Sequence, residues 1–148
     1  MKDRKEGLLG LVVKIAILAG EPSGDLIAAQ LMAYIRTKES DIEFIGIGGP
    51  LMKQEGLESF FDYSNLSLYG VFQVIPNIPK LIFLRCKLIK YLKKEKPDIF
   101  IGVDAPDFNF YVEKKLKQSG ITTFHYVAPS VWAWRPNRVY KIKKSTDH

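Results

Sequence analysis

Cysteine is nearly absent from this chain of 148 residues, and histidine occurs only twice. A lone Cys86 excludes an intramolecular disulfide, and with only His125 and His148 beside it no zinc-ligand spacing exists. A reducing compartment and a site without metal or cofactor are therefore expected. Also missing is any unbroken apolar run of membrane-spanning length. The greasiest region, Leu66 to Leu92, is interrupted by Pro76 and Pro79 and charged by Lys80, Arg85, Lys87 and Lys90. The amino terminus has the outline of a secretory signal, Lys2, Arg4 and Lys5 preceding Leu8 to Ala19. Asp3, Glu6 and Lys14 spoil that outline, the apolar part serves better as a buried strand, and a cytoplasmic location is expected. Internal repeats and low-complexity segments are lacking as well.

What is present suffices for one globular domain. Hydrophobic residues make up 47% of the chain and aromatics 12%, enough apolar surface for a core. A net charge of +6 and a pI near 9.3 favour anionic partners without specifying a fold. Val12 to Ala19 is a short run of branched apolar residues ending at Gly20, the pattern of a strand buried on both faces. Ser23 stands where a helix N-cap belongs, and Leu26, Ile27, Leu31, Tyr34 and Ile35 recur at helical spacing. Strands are predicted again at Glu43–Ile47, Asp98–Val103 and Ile121–Val127. Helices are predicted at Pro79–Lys94, with Leu81, Leu84, Leu88 and Leu92 on one stripe, and from about Phe110 to Gln118. This alternation predicts an α/β fold: a Rossmann-like, doubly wound parallel sheet with helices on both faces.

Ligands of such sheets gather at the carboxyl ends of the strands, which singles out four segments. The turn Gly20–Asp25 joins strand to helix, yet it has neither a dinucleotide fingerprint nor a P-loop lysine. Glu21 and Asp25 would repel phosphate there. Two uses stay open for it: a capped helix start, or carboxylates that bind sugar hydroxyls. Gly46–Pro50 offers backbone at Gly48 and Gly49 that could come close to a ligand, or simply a tight turn. After the apolar strand Phe100–Val103, the first polar side chain is the carboxylate of Asp104, stiffened by Ala105-Pro106 and followed by Asp107 and Asn109. That is the position of a ligand-facing acid, although helix capping would use the same residues. The fourth segment, Ala128–Arg135, carries Ser130, Trp132, Trp134 and Arg135. Tryptophan faces stack on sugars and an arginine fork suits phosphate, whereas a buried aromatic cluster is the plainer use. His125, inside a strand-like run, is expected to be a hydrogen-bonded core residue. Leu66 to Leu92 is either a core helix with charged edges or an interfacial element for an anionic membrane.

Four segments in this order, AGEPSGD (Ala19–Asp25), GIGGPLMKQEGLE (Gly46–Glu58), PDIFIGVDAPDFN (Pro97–Asn109) and HYVAPSVWAWR (His125–Arg135), resemble the lipid A disaccharide synthase family. The likeness runs from about Lys14 to the last residues, leaving residues 1–12 as an extension without a counterpart and 13–148 as one acceptor-side domain. The resemblance implies the N-terminal domain of a GT-B glycosyltransferase, a hexosyltransferase of lipid A biosynthesis. The family joins UDP-2,3-diacylglucosamine to 2,3-diacylglucosamine 1-phosphate, a membrane lipid, and involves no nucleic acid.

By the same resemblance Asp104 is the general base and Glu21 an active-site acid. Ser23, Gly24, Asp25, Gly48, Gly49, Asn109, Ser130, Trp132 and Arg135 are expected around the substrate. Val71, Phe72, Ile75, Ile78, Leu81, Ile82 and Arg85 are expected at the membrane, on the inner face of the inner membrane. Family chains are more than twice this length, so this chain alone, without the UDP-binding C-terminal domain, is expected to be inactive: either an enzyme half that works with a second polypeptide carrying the UDP site, or an inactive truncated fragment or acceptor-lipid-binding module.

Overall fold

The computed structural model describes residues 12–60, 78–127 and 144–148. The expected segments Val71, Phe72 and Ile75, and Ser130, Trp132 and Arg135, lie outside the described residues, as do the side chains of Ile78 and Leu81.

The strand β1 (Val13–Ala19) leads into helix α1 (Pro22–Lys38), and β2 (Ile42–Ile47) leads into a short helix α2 (Pro50–Gln54) and a short strand β3 (Leu57–Ser59). The long helix α3 (Ile78–Glu95) precedes β4 (Ile99–Val103), and α4 (Pro106–Lys117) precedes β5 (Thr122–Tyr126). The strands form a parallel sheet in the order β3-β2-β1-β4-β5. Connections run outward on one side of β1 and then cross to its other side, so the switch in winding direction falls between β1 and β4.

Apolar character on both faces of β1 explains why it is central. Ala16 and Leu18 join Leu84, Leu88, Leu92, Phe108, Val112 and Leu116 in one core, against α3 and α4. Ile15, Ile17 and Ala19 join Ala28, Met32, Phe44 and Met52 in the other, against α1 and α2. Full burial of a residue such as Leu88 or Leu92 contributes about 1.5–3 kcal/mol. The predicted stripe on α3 thus packs at Leu84, Leu88 and Leu92, while Ile82 and Phe83 face out at 50% and 60% exposure.

Two boundaries differ from the periodicity. α4 starts at Pro106 rather than near Phe110, because a proline at the first helical position lacks only an amide the helix would leave unpaired. α1 starts at Pro22 for the same reason, so the N-cap is Glu21 in extended conformation and Ser23 is already helical. α2 and β3 are too short for periodicity to announce them. The outer edge of β5 is covered by the last residues: His125 N donates to His148 O (2.9 Å) and Asp147 N to Thr123 O (3.0 Å). Lys117 pairs with Asp147 at 3.0 Å. Pairing of this kind hides strand groups that would otherwise invite another chain.

Candidate active site

Two turns meet at the winding switch, the one after β1 and the one after β4. In the first, Glu21 O accepts the amide of Asp25 (2.8 Å), and Ser23 turns its hydroxyl toward the second, 3.5 Å from Asp104 Oδ2. That distance is at the outer limit of a hydrogen bond, and it marks proximity more than strength. Gly24 lies close to the second turn as well: a Cβ there would stand in ordinary contact with Val103 O (3.6 Å) and Asp104 Cβ (3.7 Å). The helix N-terminus, with its partial positive charge, therefore lies beside the partly exposed carboxylate of Asp104.

Asp104 is held in an unusual way. Its φ is 54° and that of Ala105 is 43°, two consecutive left-handed residues without a glycine. Each costs roughly 1–2 kcal/mol, so the surroundings must over-determine the bend. They do so with four backbone anchors. Asp104 N donates to Tyr126 O (3.1 Å), and the amides of Phe108 and Asn109 donate to Ala105 O (3.1 and 3.0 Å). Asn109 Nδ2 donates to Asp104 O (2.7 Å) and, more weakly, to Val103 O (3.3 Å). Asn109 is fully buried. Its amide supports the Asp104 turn from behind.

The glycine turn after β2 is held by Asp25. Asp25 is 3% exposed, and its carboxylate accepts the amides of Gly49 (2.8 Å) and Met52 (3.1 Å) on Oδ1 and of Leu51 (3.1 Å) on Oδ2. It caps α2 from a neighbouring helix, with three of the carboxylate's acceptor sites taken by these amides. Gly49 is the N-cap residue of α2. At Gly48 a Cβ would lie 2.2 Å from Met52 Sδ and 2.9 Å from Leu57 Cδ2, so the bare backbone leaves room for these two core side chains.

Behind Asp104 lies a buried pair that motif reading passed over. His125 Nδ1 is 2.7 Å from Glu113 Oε1, with the side chains 3% and 0% exposed. His125 is thus the hydrogen-bonded core residue expected, stacked at a tilt on Phe110. Glu113 was detectable as a carboxylate one helical turn after Asn109, on the same face as the apolar Val112 and Leu116. Burial pushes its carboxyl above the ordinary range, more than the hydrogen bond and charge of His125 pull it down.

Of the membrane candidates on α3, Ile82 is half exposed, next to Phe83, whose ring lies 4.5 Å from Lys87 Nζ. Arg85 lies over the rings of Phe108 and Tyr111 on α4 (5.1 and 5.4 Å). No helix among the described residues is long and apolar enough to cross a membrane. No group of three or more potential metal ligands occurs among them either. A cavity of about 270 Å³ among Lys93, Lys96, Pro97, Ser119, Gly120 and Ile121 sits at the opposite, amino end of the sheet and is remote from this chemistry.

Comparison with known proteins agrees with the geometry. The family model for lipid-A-disaccharide synthetase matches residues 15–148. The chain is 53% identical over 135 residues to a lipid-A-disaccharide synthase of Idiomarina loihiensis, covering 91% of this chain and 36% of that protein. It is 52% identical over 136 residues to one of Chromobacterium violaceum, covering 92% and 35%. For the Azotobacter vinelandii protein of the same name the figures are 48% over 136 residues, 92% and 36%. The chain spans about a third of the length of the curated relatives it matches. With a parallel, doubly wound sheet and an acid fixed at its winding switch, the chain belongs to the lipid-A-disaccharide synthetase family.

Proposed function

We propose that this chain is the acceptor-side part of a lipid A disaccharide synthase, with Asp104 as general base. The observation that carries the reading is the Asp104 carboxylate, held by a left-handed backbone at the carboxyl end of β4 beside the N-terminus of α1. In the proposed reaction the 6-hydroxyl oxygen of 2,3-diacylglucosamine 1-phosphate attacks the anomeric carbon of UDP-2,3-diacylglucosamine. Its proton passes to Asp104, the bond to UDP breaks, and the configuration inverts. Ser23, 3.5 Å from the acid, and Glu21, the N-cap residue of α1, are assigned to hydroxyls of the acceptor sugar. The departing diphosphate needs cationic or amide donors, which this reading gives to the UDP-binding portion that the longer relatives have room for.

The acceptor is a lipid, and the reading includes docking on an anionic membrane surface, the inner face of the inner membrane. Support comes from the half-exposed Ile82 and Phe83 on a helix that also exposes Lys87 and Lys90. The test of the enzyme reading is reconstitution. The chain is mixed with a separately produced C-terminal portion of the Idiomarina loihiensis relative, and UDP release is followed with both substrates. UDP is expected from the mixture and not from either part alone, with Asp104→Asn lowering the rate about 100-fold or more. No release above background, or full activity in Asp104→Asn, would overturn the assignment.

A further inference from the structure

The buried polar cluster behind the site is larger than packing requires. Three of its atoms, Asn109 Oδ1, Glu113 Oε2 and His125 Nε2, find no hydrogen-bond partner among the described residues. A core that served only to pack would replace these groups with apolar ones, because an unsatisfied buried polar atom is costly and tends to persist where function holds it. The cluster is also built as a unit. Gly102 in β4 pairs in register with His125 in β5. A Cβ at Gly102 would fall 2.3 Å from Glu113 Oε1 and 3.0 Å from Asn109 Cβ and Cγ, so both side chains lie over the same bare stretch of strand. One end of the cluster is the Glu113–His125 contact at 2.7 Å, and the other is the Asn109 amide on Asp104 O, also at 2.7 Å.

We propose that Asn109, Glu113 and His125 are positioning residues for Asp104: the Glu113–His125 pair seats the Asn109 amide over Gly102, and the amide locks Asp104 and Ala105 in the left-handed conformation that aims the carboxylate into the crevice. None of the three touches substrate. Their relevance to turnover rests on the proposed enzyme reading, but the conformational coupling does not. The coupling runs from the α4–β5 contact through one side chain to a left-handed backbone bend built without glycine. Glycine at 102 is the space the device requires.

The test uses the whole chain, isotopically labelled, and reads the Cα and Cβ chemical shifts and the amide–Hα coupling of Asp104 and Ala105. Asn109→Asp keeps the shape of the side chain and removes its donors. Glu113→Leu breaks the pair, Glu113→Gln retains a hydrogen-bonding partner for His125 Nδ1, and Gly102→Ala pushes on both side chains. Asn109→Asp, Glu113→Leu and Gly102→Ala are expected to move Asp104 and Ala105 out of left-handed shifts while Phe44 and Met52, in the other core, keep theirs. Glu113→Gln is expected to retain the parent values.

If Glu113→Leu does not fold, Asn109→Asp and Gly102→Ala decide the matter. Left-handed shifts that persist in a folded Asn109→Asp chain overturn the proposal. In the reconstituted mixture Asn109→Asp is expected to lower kcat about 10- to 100-fold with KM unchanged, and an unaltered kcat overturns the proposal equally. A mixture in which even the parent chain releases no UDP refutes the enzyme reading, and the resonance data then judge the positioning device by themselves.

Discussion

Replacing Asp25 by alanine tests whether this residue serves structure or substrate. Its carboxylate accepts three amides, from Gly49, Leu51 and Met52, at 2.8 to 3.1 Å, and two of those bonds are buried. An exposed N-cap lost to alanine costs about 0.5–2 kcal/mol. Here the acceptor is charged and water cannot replace it, so each stranded buried amide adds about 1–3 kcal/mol and the sum is about 3–5 kcal/mol. Domains of this kind have only about 5–15 kcal/mol in total. With a urea dependence of roughly 1–3 kcal/mol per molar, the midpoint of unfolding should fall by about 2 M.

Asparagine discriminates further. Its remaining oxygen can keep the bonds to Gly49 and Met52, whereas its amide would face the Leu51 donor, so a loss of about 1–2 kcal/mol is expected. Urea titration followed by circular dichroism, without any substrate, measures both. An alanine variant within 0.5 kcal/mol of the parent, on the scale of a neutral surface change, would refute the capping argument. Asparagine as damaging as alanine would do the same.

Gly48→Ala should cost about 1–3 kcal/mol by overpacking, because its Cβ would meet Met52 Sδ at 2.2 Å. Met52→Ala alone should cost about 2–5 kcal/mol, and the double variant should lose less than the sum of the two single losses in the same titration. Glu113 gives a pH signature. Its folded pKa lies above the free value of 4.5, so its contribution is fully present below 4.5 and is lost as pH rises through the raised value. In that window the native state holds a proton that the unfolded state lacks, and stability falls by about 1.4 kcal/mol per pH unit. His125 on β5 and Asn109 on α4 are the polar groups facing it. Glu113→Gln should abolish that slope, and parallel pH profiles for the two chains would contradict the assignment. Phe83→Asp should reduce sedimentation with anionic phosphatidylglycerol vesicles severalfold, since it removes an apolar anchor and adds a repelled charge. Unchanged binding would place the membrane contact elsewhere.

Much of the architecture was legible because it follows from local pattern. Beyond Lys14 at its start, β1 is apolar on both of its faces, and such a strand is central and covered by helices on two sides. Asp104 was legible for a related reason, as the first polar side chain after a buried strand. Pro22 and Pro106 misled the helix boundaries, since a proline at the first helical position needs no polar cap before it. The side-chain roles were less legible. Asp25 and Asn109 each have the chemistry of a ligand contact, and sequence spacing does not tell whether a backbone amide from 24 residues away, or a carbonyl five residues back, has taken that chemistry first.

The sequence by itself determined the family, the alternation of strand and helix, and the acid at the end of β4, because these depend on residue type and order. The tertiary structure decided which partners the polar side chains have. Asp25 was taken by α2 and Asn109 by the Asp104 turn, Arg85 was drawn onto α4, and Glu113 was joined to His125 across the α4–β5 contact. Each outcome depends on two distant segments coming within about 3 Å for a hydrogen bond or about 6 Å for a cation over a ring, and only the packed sheet brings them that close.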